Sequence, residues 1–282
     1  MTMTNWIETY RGAVPPWQCD VTEHFTVAYY FDRLEEAEAS LAEDLGIGGR
    51  PRQIIARFAR ELRAGASFHI ESAALGLGAT GLRLGHRVVD SANNEVVTWF
   101  DVVWDLSTAA LTPRHHVAIA GRLAEWNGPV AEARPEPAST AGIIPTARGR
   151  VRTGDIDAAG HFALGGMVHR FSNASGQFGN AIGMDSAYMT EHRRGFSTFE
   201  LVLEVSGVLR LGAPYLVETG IGHLGNSSLR MIHRMTDTRT GAVVARLSQY
   251  GVNLDLDARR PARWPDDIRA RAAALATEVK AS

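Results

Sequence analysis

The chain contains two copies of one sequence pattern. The stretch from Asp20 to Phe25 (DVTEHF) returns at Asp157 to Phe162 (DAAGHF), each residue 137 positions after its counterpart. A second block, Leu82 to Asp90, returns 147 positions later at Leu229 to Asp237. Repeats of roughly 140 residues are too long for a solenoid unit and have the size of domains. The sequence therefore predicts two like domains, at 1–130 and 143–282, joined by a linker at 131–142.

Composition indicates an ordinary globular protein. The 282 residues are 45% hydrophobic and 21% charged, and the net charge of −2 gives no field that favours nucleic acid or an anionic membrane. No run of 18 apolar residues predicts a membrane span, and the first residues lack a secretory pattern. Cys19 is the single cysteine, which excludes an internal disulfide and a zinc site built from thiolates. We expect a cytoplasmic protein without a metal or cofactor.

The periodicity predicts one long helix in each half. Apolar residues recur at helical spacing from Phe25 to Leu45, and Gly46 ends the pattern. The acids of this segment, Glu38 among them, are predicted to lie mostly on the opposite face. In the second half the corresponding helix runs from Phe162 to Ile182.

Alternating and β-branched residues predict strands around each helix. Tyr10 to Cys19 is predicted to be extended, because Pro15 and Pro16 disfavour a helix, and Asp20 to His24 is predicted to be a turn. Ile143 to Arg152 opens the second half as a strand, and Asp266 begins a terminal helix that reaches Lys280. The remaining strands are predicted at Ile54–Leu62, Ser67–Leu75, Leu82–Val89, Val96–Leu106, Phe196–Leu209, Tyr215–Gly222, Ser228–Asp237 and Val243–Asp255.

Four motifs together resemble the acyl-CoA and acyl-ACP thioesterases of the hotdog superfamily. They are an Asp-x-x-x-His phrase before the long helix, the Tyr30 to Ala37 segment with Glu35 and Glu36, Arg63 to Gly65 before a strand, and Leu77 to Arg83. The resemblance covers nearly the whole chain in two copies. It implies an α+β tandem (double) hotdog, in which each half is a long central helix wrapped by a curved antiparallel sheet.

Thioester hydrolysis needs a carboxylate to attack or to activate water, and donors for the oxygen that becomes negative. Asp20 at a helix entry could supply the first, and the backbone N–H groups from Phe25 to Ala28 the second. His24 would orient the water or support the carboxylate. The resemblance implies that Asp20 and Asp157 are the nucleophile or general base, with His24 and His161 beside them.

The two copies differ in further candidate residues. The resemblance to acyl-ACP thioesterases makes Glu61 a catalytic candidate, whereas the second half has Val208 at that position. Thr22 and Thr26 of the first half are candidate substrate contacts, and they favour the first copy as the active one. Arginines near the first glycine turn could bind the phosphates of a CoA carrier; they include Arg57, Arg60 and Arg63.

Each candidate also has a structural interpretation. Asp20 and Asp157 could be helix N-caps, and Glu61 could pair with Arg63. His86 and His233 recur in strands without a second ligand at short spacing, so core histidines are favoured over a metal site. Tyr29, Tyr30 and Phe31 are assigned to the core. Cys19 is assigned as a partly buried thiol, because a neighbouring carboxylate raises a thiol pKa.

The leading hypothesis is a thioesterase that hydrolyses an acyl-CoA, with acyl-ACP as the less favoured substrate, acting as a homo-oligomer. A hotdog hydratase is an alternative, although Gly154 and Asp155 begin its motif without the Asn-Pro pair and His161 lies one residue too far. A non-catalytic acyl-binding protein is the third hypothesis. The acyl group and its length stay open.

Overall fold

The computed structural model describes residues 5–20, 22–79, 81–106, 111–130 and 142–278. The chain divides into two compact units, Met1–Ala131 and Glu132–Ser282, called here the first and the second unit. The linker predicted at 131–142 lies outside the described residues apart from Gly142, as does Lys280. None of the described helices is long and apolar enough to cross a lipid bilayer.

The first unit packs one long helix against five antiparallel strands. The strands follow the order β1-β3-β4-β5-β2 across the sheet, and the helix α1 contacts β1 and β3. The elements are β1 (Ile7–Ala13), α1 (Val27–Leu45), β2 (Arg50–Phe58), β3 (Ser67–Gly78), β4 (Gly81–Asp90), β5 (Glu95–Asp105) and α2 (Pro113–Gly121).

Helix α1 forms because its apolar residues recur every three or four positions and bury one face. Phe31, Leu34 and Leu41 are fully buried in this way, and burying each such side chain contributes about 1.5–3 kcal/mol. The helix ends at Gly46, whose φ of 68° lets its amide bond back to the carbonyls of Ala42 and Glu43.

The second unit has the same plan. Its strands follow the order β6-β8-β9-β10-β7, which matches the first unit strand for strand, and the short β11 pairs with β10. The elements are β6 (Ile144–Arg150), α3 (Leu164–Ile182), α4 (Ser186–Glu191), β7 (Arg194–Val205), β8 (Pro214–Leu224), β9 (Ser228–Asp237), β10 (Val243–Asp255), β11 (Arg260–Pro261) and α5 (Asp266–Glu278). The α+β class predicted from the sequence is confirmed.

Backbone hydrogen bonds fix which residues of the two units are equivalent. The Phe25 amide donates to the Leu62 carbonyl at 2.8 Å, and the Phe162 amide donates to Leu209 at 2.7 Å. In the same way two successive amides donate to one carbonyl in each unit: Ala59 and Arg60 to Val97, and Ser206 and Gly207 to Val244. Equivalent residues therefore differ by 137 through the long helix and by 147 after it, because the second unit inserts α4.

Two local predictions need correction. Pro15 and Pro16 do not exclude a helix, because Pro16–Gln18 form one 3-10 turn. Proline is tolerated at the first position of a helix, since the amide hydrogen that it lacks would have no acceptor within the helix there. The long helices begin at Val27 and Leu164 rather than at Phe25 and Phe162. Thr26 and Ala163 occupy the N-cap positions with extended backbone, at ψ of 133° and 153°, so the phenylalanine before each of them lies outside the helix.

Each unit buries a histidine in a chain of hydroxyl groups. His86 Nδ1 lies 2.6 Å from Ser72 Oγ, which lies 2.7 Å from Thr9 Oγ1. The equivalent chain in the second unit, His233 to Thr219 to Thr146, has distances of 2.8 and 2.7 Å. Burial lowers the pKa of both histidines to about 3, so both are neutral. Both are core residues, in agreement with their sequence assignment.

Candidate functional site

The turn before α1 is organised by the carboxylate of Asp20. Asp20 Oδ1 accepts hydrogen bonds from the Thr22 amide at 2.8 Å, the Thr22 hydroxyl at 2.6 Å and the His24 amide at 3.2 Å. The Asp20 amide in turn donates to the His24 carbonyl at 2.9 Å. Glu23 adopts a φ of 64° to close the turn. Three donors thus bond to one oxygen of Asp20, and these hydrogen bonds hold the turn together.

His24 is buried beneath this turn and connects two polar groups. Its residue exposure is 5%. Its Nδ1 lies 2.8 Å from Thr22 Oγ1, and its Nε2 lies 3.0 Å from Glu61 Oε2. A carboxylate only accepts, so the single Thr22 hydroxyl proton goes to Asp20 and His24 Nδ1–H must donate to Thr22. A proton consequently lies between His24 Nε2 and Glu61.

Glu61 reaches His24 because the chain beyond β2 continues alongside the turn. The Phe25 amide donates to Leu62, and His24 and Arg63 form an isolated antiparallel bridge. The Glu61 side chain is 32% exposed, so the acid can meet solvent and ligand while its histidine partner stays buried. The first unit thus contains a connected series of polar side chains, called here the Glu61 chain: Asp20, Thr22, His24 and Glu61.

The start of α1 offers two backbone donors near the turn. Of the four amides proposed from the sequence, that of Phe25 donates to Leu62 and that of Thr26 donates to the Gln18 carbonyl at 3.0 Å. The amides of Val27 and Ala28 occupy the first two helical positions, where a helix has no internal acceptor. Among the described residues no carbonyl accepts from either amide. Val27 is partly exposed, so its amide can donate to an anionic oxygen, which the helix dipole also favours, whereas Ala28 is fully buried.

The second unit keeps only part of this arrangement. Asp157 Oδ1 accepts from the amides of Ala159 at 2.9 Å and His161 at 2.8 Å, so the turn is the same. The His161 ring, however, lies 3.8 Å from Asp157 Oδ2 and has neither a hydroxyl nor a glutamate in the equivalent places. Ala159 stands where the first unit has Thr22, and Val208 where it has Glu61. Gly160, with a φ of 76°, replaces Glu23.

The structure places both aspartates at the surface, outside the N-cap positions. Neither is buried at the mouth of a helix: Asp20 is exposed, and the Asp157 side chain is 39% exposed. Neither is an N-cap, because Thr26 and Ala163 occupy those positions without a side-chain cap. Asp20 and His24 do lie close together, as predicted. The hydrogen bonds that link them run through the Thr22 hydroxyl and the His24 amide.

The three arginines that the sequence nominates for phosphate binding do not lie together. Arg60 is exposed and pairs with Glu95, and Arg63 is exposed with Glu23 at 3.9 Å. Arg57 lies within β2, paired in register with Trp99, whereas its neighbour Phe58 contacts Tyr30 of α1. Because successive strand residues face opposite sides, Arg57 points away from α1. Arg60 and Arg63 remain next to Glu61 in the chain, and Arg57 does not join them.

Cys19 is not an activated thiol. Burial and the neighbouring Asp20 carboxylate raise its pKa, and its sulfur lies 3.9 Å from the Pro15 carbonyl. In the part of the chain that the structure describes, no three His, Cys, Asp or Glu side chains are grouped so that they could hold a metal ion. The described chemistry at the turn is that of a carboxylate, an imidazole and two amides.

Sequence reasoning missed one polar contact at this site. Tyr30 belongs to the core, as predicted, but its hydroxyl also accepts from the Leu62 amide at 3.4 Å, beside Glu61. A signal was present in the repeat, because the second copy has Met167 at the equivalent position.

Comparisons with known proteins agree with this architecture. The model of the thioesterase-like superfamily matches residues 151–272, which lie in the second unit. An acyl-ACP thioesterase from Bacteroides thetaiotaomicron is similar in structure with a TM-score of 0.67 and 12% identity, over 88% of this chain and 98% of that one. A 12:0-ACP thioesterase from Umbellularia californica gives a TM-score of 0.63 at 14% identity, over 88% and 94%. No curated protein sequence matches the chain.

These identities establish the fold and not the substrate. The family model matches part of the second unit, and the shared fold extends over most of the chain. The resemblance to hotdog thioesterases that the sequence indicates is therefore confirmed, through the superfamily match of residues 151–272 and through the fold that the chain shares with acyl-ACP thioesterases.

Proposed function

We propose that the protein is a thioesterase that hydrolyses an acyl-CoA, and that its active site is the Glu61 chain of the first unit. The observation that carries the proposal is the 3.0 Å contact between His24 Nε2 and Glu61 Oε2, next to the first amides of α1. We also propose that each unit is one hotdog of a tandem pair joined at 131–142. The common strand order and the superfamily match of the second unit support this.

Glu61 is the better general base of the two acids in the Glu61 chain. Asp20 Oδ1 already accepts three hydrogen bonds from within the turn, so this oxygen holds the turn closed. Glu61 is exposed enough to contact a water molecule, and its partner His24 can hold a proton. We therefore assign Asp20, the acid that the sequence favoured, to positioning: it fixes the Thr22 hydroxyl, which fixes the His24 tautomer.

The reaction follows from these assignments. With the shared proton held by His24 Nε2, ionised Glu61 removes a proton from water while the water oxygen bonds to the thioester carbonyl carbon. The amide of Val27, which is partly exposed at the start of α1, donates to the carbonyl oxygen as it becomes negative. The carbon–sulfur bond then breaks, and the thiolate leaves readily because a thiol has a pKa of only ~8.5. The proton held by Glu61 and His24 passes to the sulfur, which leaves a free acid and a free thiol.

The second unit is proposed to be inactive at the equivalent turn. Asp157 and His161 are present there, but Ala159 and Val208 remove the hydroxyl and the base. Their apolar side chains suit an acyl chain better than a charged intermediate. Thr26 in the first unit, partly exposed at the N-cap of α1, remains a candidate substrate contact.

A CoA carrier is proposed because exposed cations flank the base. Arg60 and Arg63 are both exposed at the surface on either side of Glu61, where they could bind phosphate groups. The structural relatives that act on ACP thioesters make an ACP carrier the competing substrate.

The test is release of free thiol from a panel of short, long, branched and aromatic acyl-CoAs and the matching acyl-ACPs. The wild type should release thiol, and Glu61→Gln should lower kcat about 100-fold or more, the usual contribution of a general base. Glu204→Gln removes an exposed strand acid of the second unit and is the matched control. Equal activity of wild type and Glu61→Gln would refute the assignment of the base.

The same proteins separate the alternative functions. Hydration of an unsaturated acyl-CoA is monitored as a loss of ultraviolet absorbance. Hydration without thiol release would identify a hydratase. An acyl-CoA that raises the melting temperature with neither reaction would identify a binding protein.

A further inference from the structure

The side chain of Tyr30 packs between the turn and the end of β2, after which the chain continues to Glu61. Its ring centroid lies 4.6 Å from that of Phe25 and 5.4 Å from that of Phe58, and the residue is 3% exposed. Phe25 follows His24 directly, and Phe58 ends β2 three residues before Glu61. Tyr30 thus contacts both of the segments that must meet for His24 and Glu61 to touch.

The Tyr30 hydroxyl forms the polar part of this contact. It accepts from the Leu62 amide at 3.4 Å, and Leu62 is itself buried. Burial raises the pKa of the Tyr30 phenol, while the Leu62 amide and the Thr98 hydroxyl partly oppose that rise. The phenol is therefore a neutral hydroxyl that keeps a proton to donate. The residue it holds, Leu62, is the immediate neighbour of Glu61.

The second unit supplies an internal comparison. Met167 stands at the position of Tyr30, Val208 at that of Glu61 and Ala245 at that of Thr98. The register supports these equivalences: Phe58 pairs with Thr98 as Val205 pairs with Ala245. Helices α1 and α3 are both 19 residues long and end at a left-handed glycine. Where the acid is absent, the phenol and its neighbouring hydroxyl are absent too, although the surrounding fold is kept.

We propose that Tyr30 is a positioning residue of the active site, and that its hydroxyl holds the Leu62 backbone so that Glu61 stays on His24. This inference rests on the proposed function, because it assigns Tyr30 a part in the reaction of Glu61. The fold alone does not need the hydroxyl, since the second unit packs Met167 in the same place. Tyr30 does not contact the substrate and acts through Glu61.

The test compares Tyr30→Phe with Tyr215→Phe in steady-state thioester hydrolysis. Tyr30→Phe keeps the ring and removes the hydroxyl, and kcat should fall about fivefold with KM unchanged, the loss expected for one neutral hydrogen bond. Tyr215 is buried in the second unit, and its ring lies 5.9 Å from Phe162, the equivalent of Phe25. Tyr215→Phe should leave kcat unchanged, although both variants can lower the melting temperature.

A double-mutant cycle identifies the route of the effect. In a Glu61→Gln background, adding Tyr30→Phe should change the residual rate by less than twofold, because the residue it positions has gone. The full fivefold loss in that background would overturn the inference, as would an unchanged kcat in Tyr30→Phe alone. A wild type that hydrolyses no thioester would instead refute the proposed function, and this inference with it.

Discussion

Glu38 should make the first unit less stable as the pH rises above neutrality. It lies on the buried face of α1 with 6% exposure, and its Oε1 accepts from Trp104 Nε1 at 2.6 Å. Burial raises the pKa of Glu38 to about 8, and the Trp104 hydrogen bond opposes this only in part. Folded Glu38 is therefore a neutral acid at pH 7.

The direction in which stability changes with pH follows from the linkage between protonation and folding. The folded pKa lies above the unfolded one, so the folded chain holds a proton that the unfolded chain has lost between about pH 4.5 and 8. Stability is complete below that window and falls as the pH rises through it, by up to about 1.4 kcal/mol per pH unit. From pH 6.5 to 8 the first unit should lose roughly 1–2 kcal/mol in its free energy of unfolding.

Urea unfolding followed by tryptophan fluorescence can measure this loss. Of the six tryptophans only Trp264 lies in the second unit, so the signal reports mainly on the first. Unfolded histidines still titrate near pH 6.5, so the contribution of Glu38 is taken as the difference between the wild type and Glu38→Gln, which contain the same histidines. Glu38→Gln keeps an acceptor for Trp104 and has no charge to bury, so its stability should not fall across the window.

The matched control is Glu43→Gln, on the exposed face of the same helix, which should fall in parallel with the wild type. An equal loss in wild type and Glu38→Gln would show that Glu38 is ionised in the folded protein, and the reasoning from burial would be refuted.

Two further predictions concern the turns. Thr22→Ala should lower kcat about tenfold in the thiol-release assay, because His24 Nδ1 loses its hydrogen-bond acceptor and the ring loses its orientation. Thr22→Ser keeps the hydroxyl and should restore most of the rate. A Thr22→Ser variant as slow as Thr22→Ala would contradict a role for the hydroxyl. Gly160→Ala should lower the free energy of unfolding by about 1 kcal/mol, since its φ of 76° disfavours any side chain. Gly154→Ala, at an open position with no positive φ, is its control in urea unfolding, and equal effects of the two would refute the strain argument.

The sequence predicts the elements well where periodicity and punctuation agree. Helices α1 and α3 carry long apolar stripes that end at Gly46 and Gly183, and the predicted bounds are wrong only at the first residues. At those residues the Phe25 and Phe162 amides bond to the carbonyls of Leu62 and Leu209, which lie far along the chain. The position of Glu38 was predictable: it lies four residues after Leu34 and three before Leu41, on the buried stripe. Glu38 was predicted on the solvent-exposed face only because its side chain is an acid.

The site was less predictable because its residues meet through long-range contacts. An Asp-x-x-x-His phrase fits a helix cap, a catalytic acid or a closed turn equally well, and only the amides that bond to Asp20 identify the closed turn. Glu61 could be nominated from the sequence, but its contact with His24 depends on the backbone bond between Phe25 and Leu62. Arg57 was separable from Arg60 and Arg63 by strand alternation, since Phe58 beside it is an evident core residue.

The repeat also changes how candidate residues should be weighed. Asp20 and His24 recur in the second unit, and there the aspartate still binds the backbone amides that close the turn. Recurrence in both copies therefore follows from a shared structural need. Thr22, Tyr30 and Glu61 do not recur, and in the first unit they lie around His24 and its contact with Glu61. In a duplicated domain, polar residues present in one copy alone, and joined to one another there, are the stronger indication of chemistry.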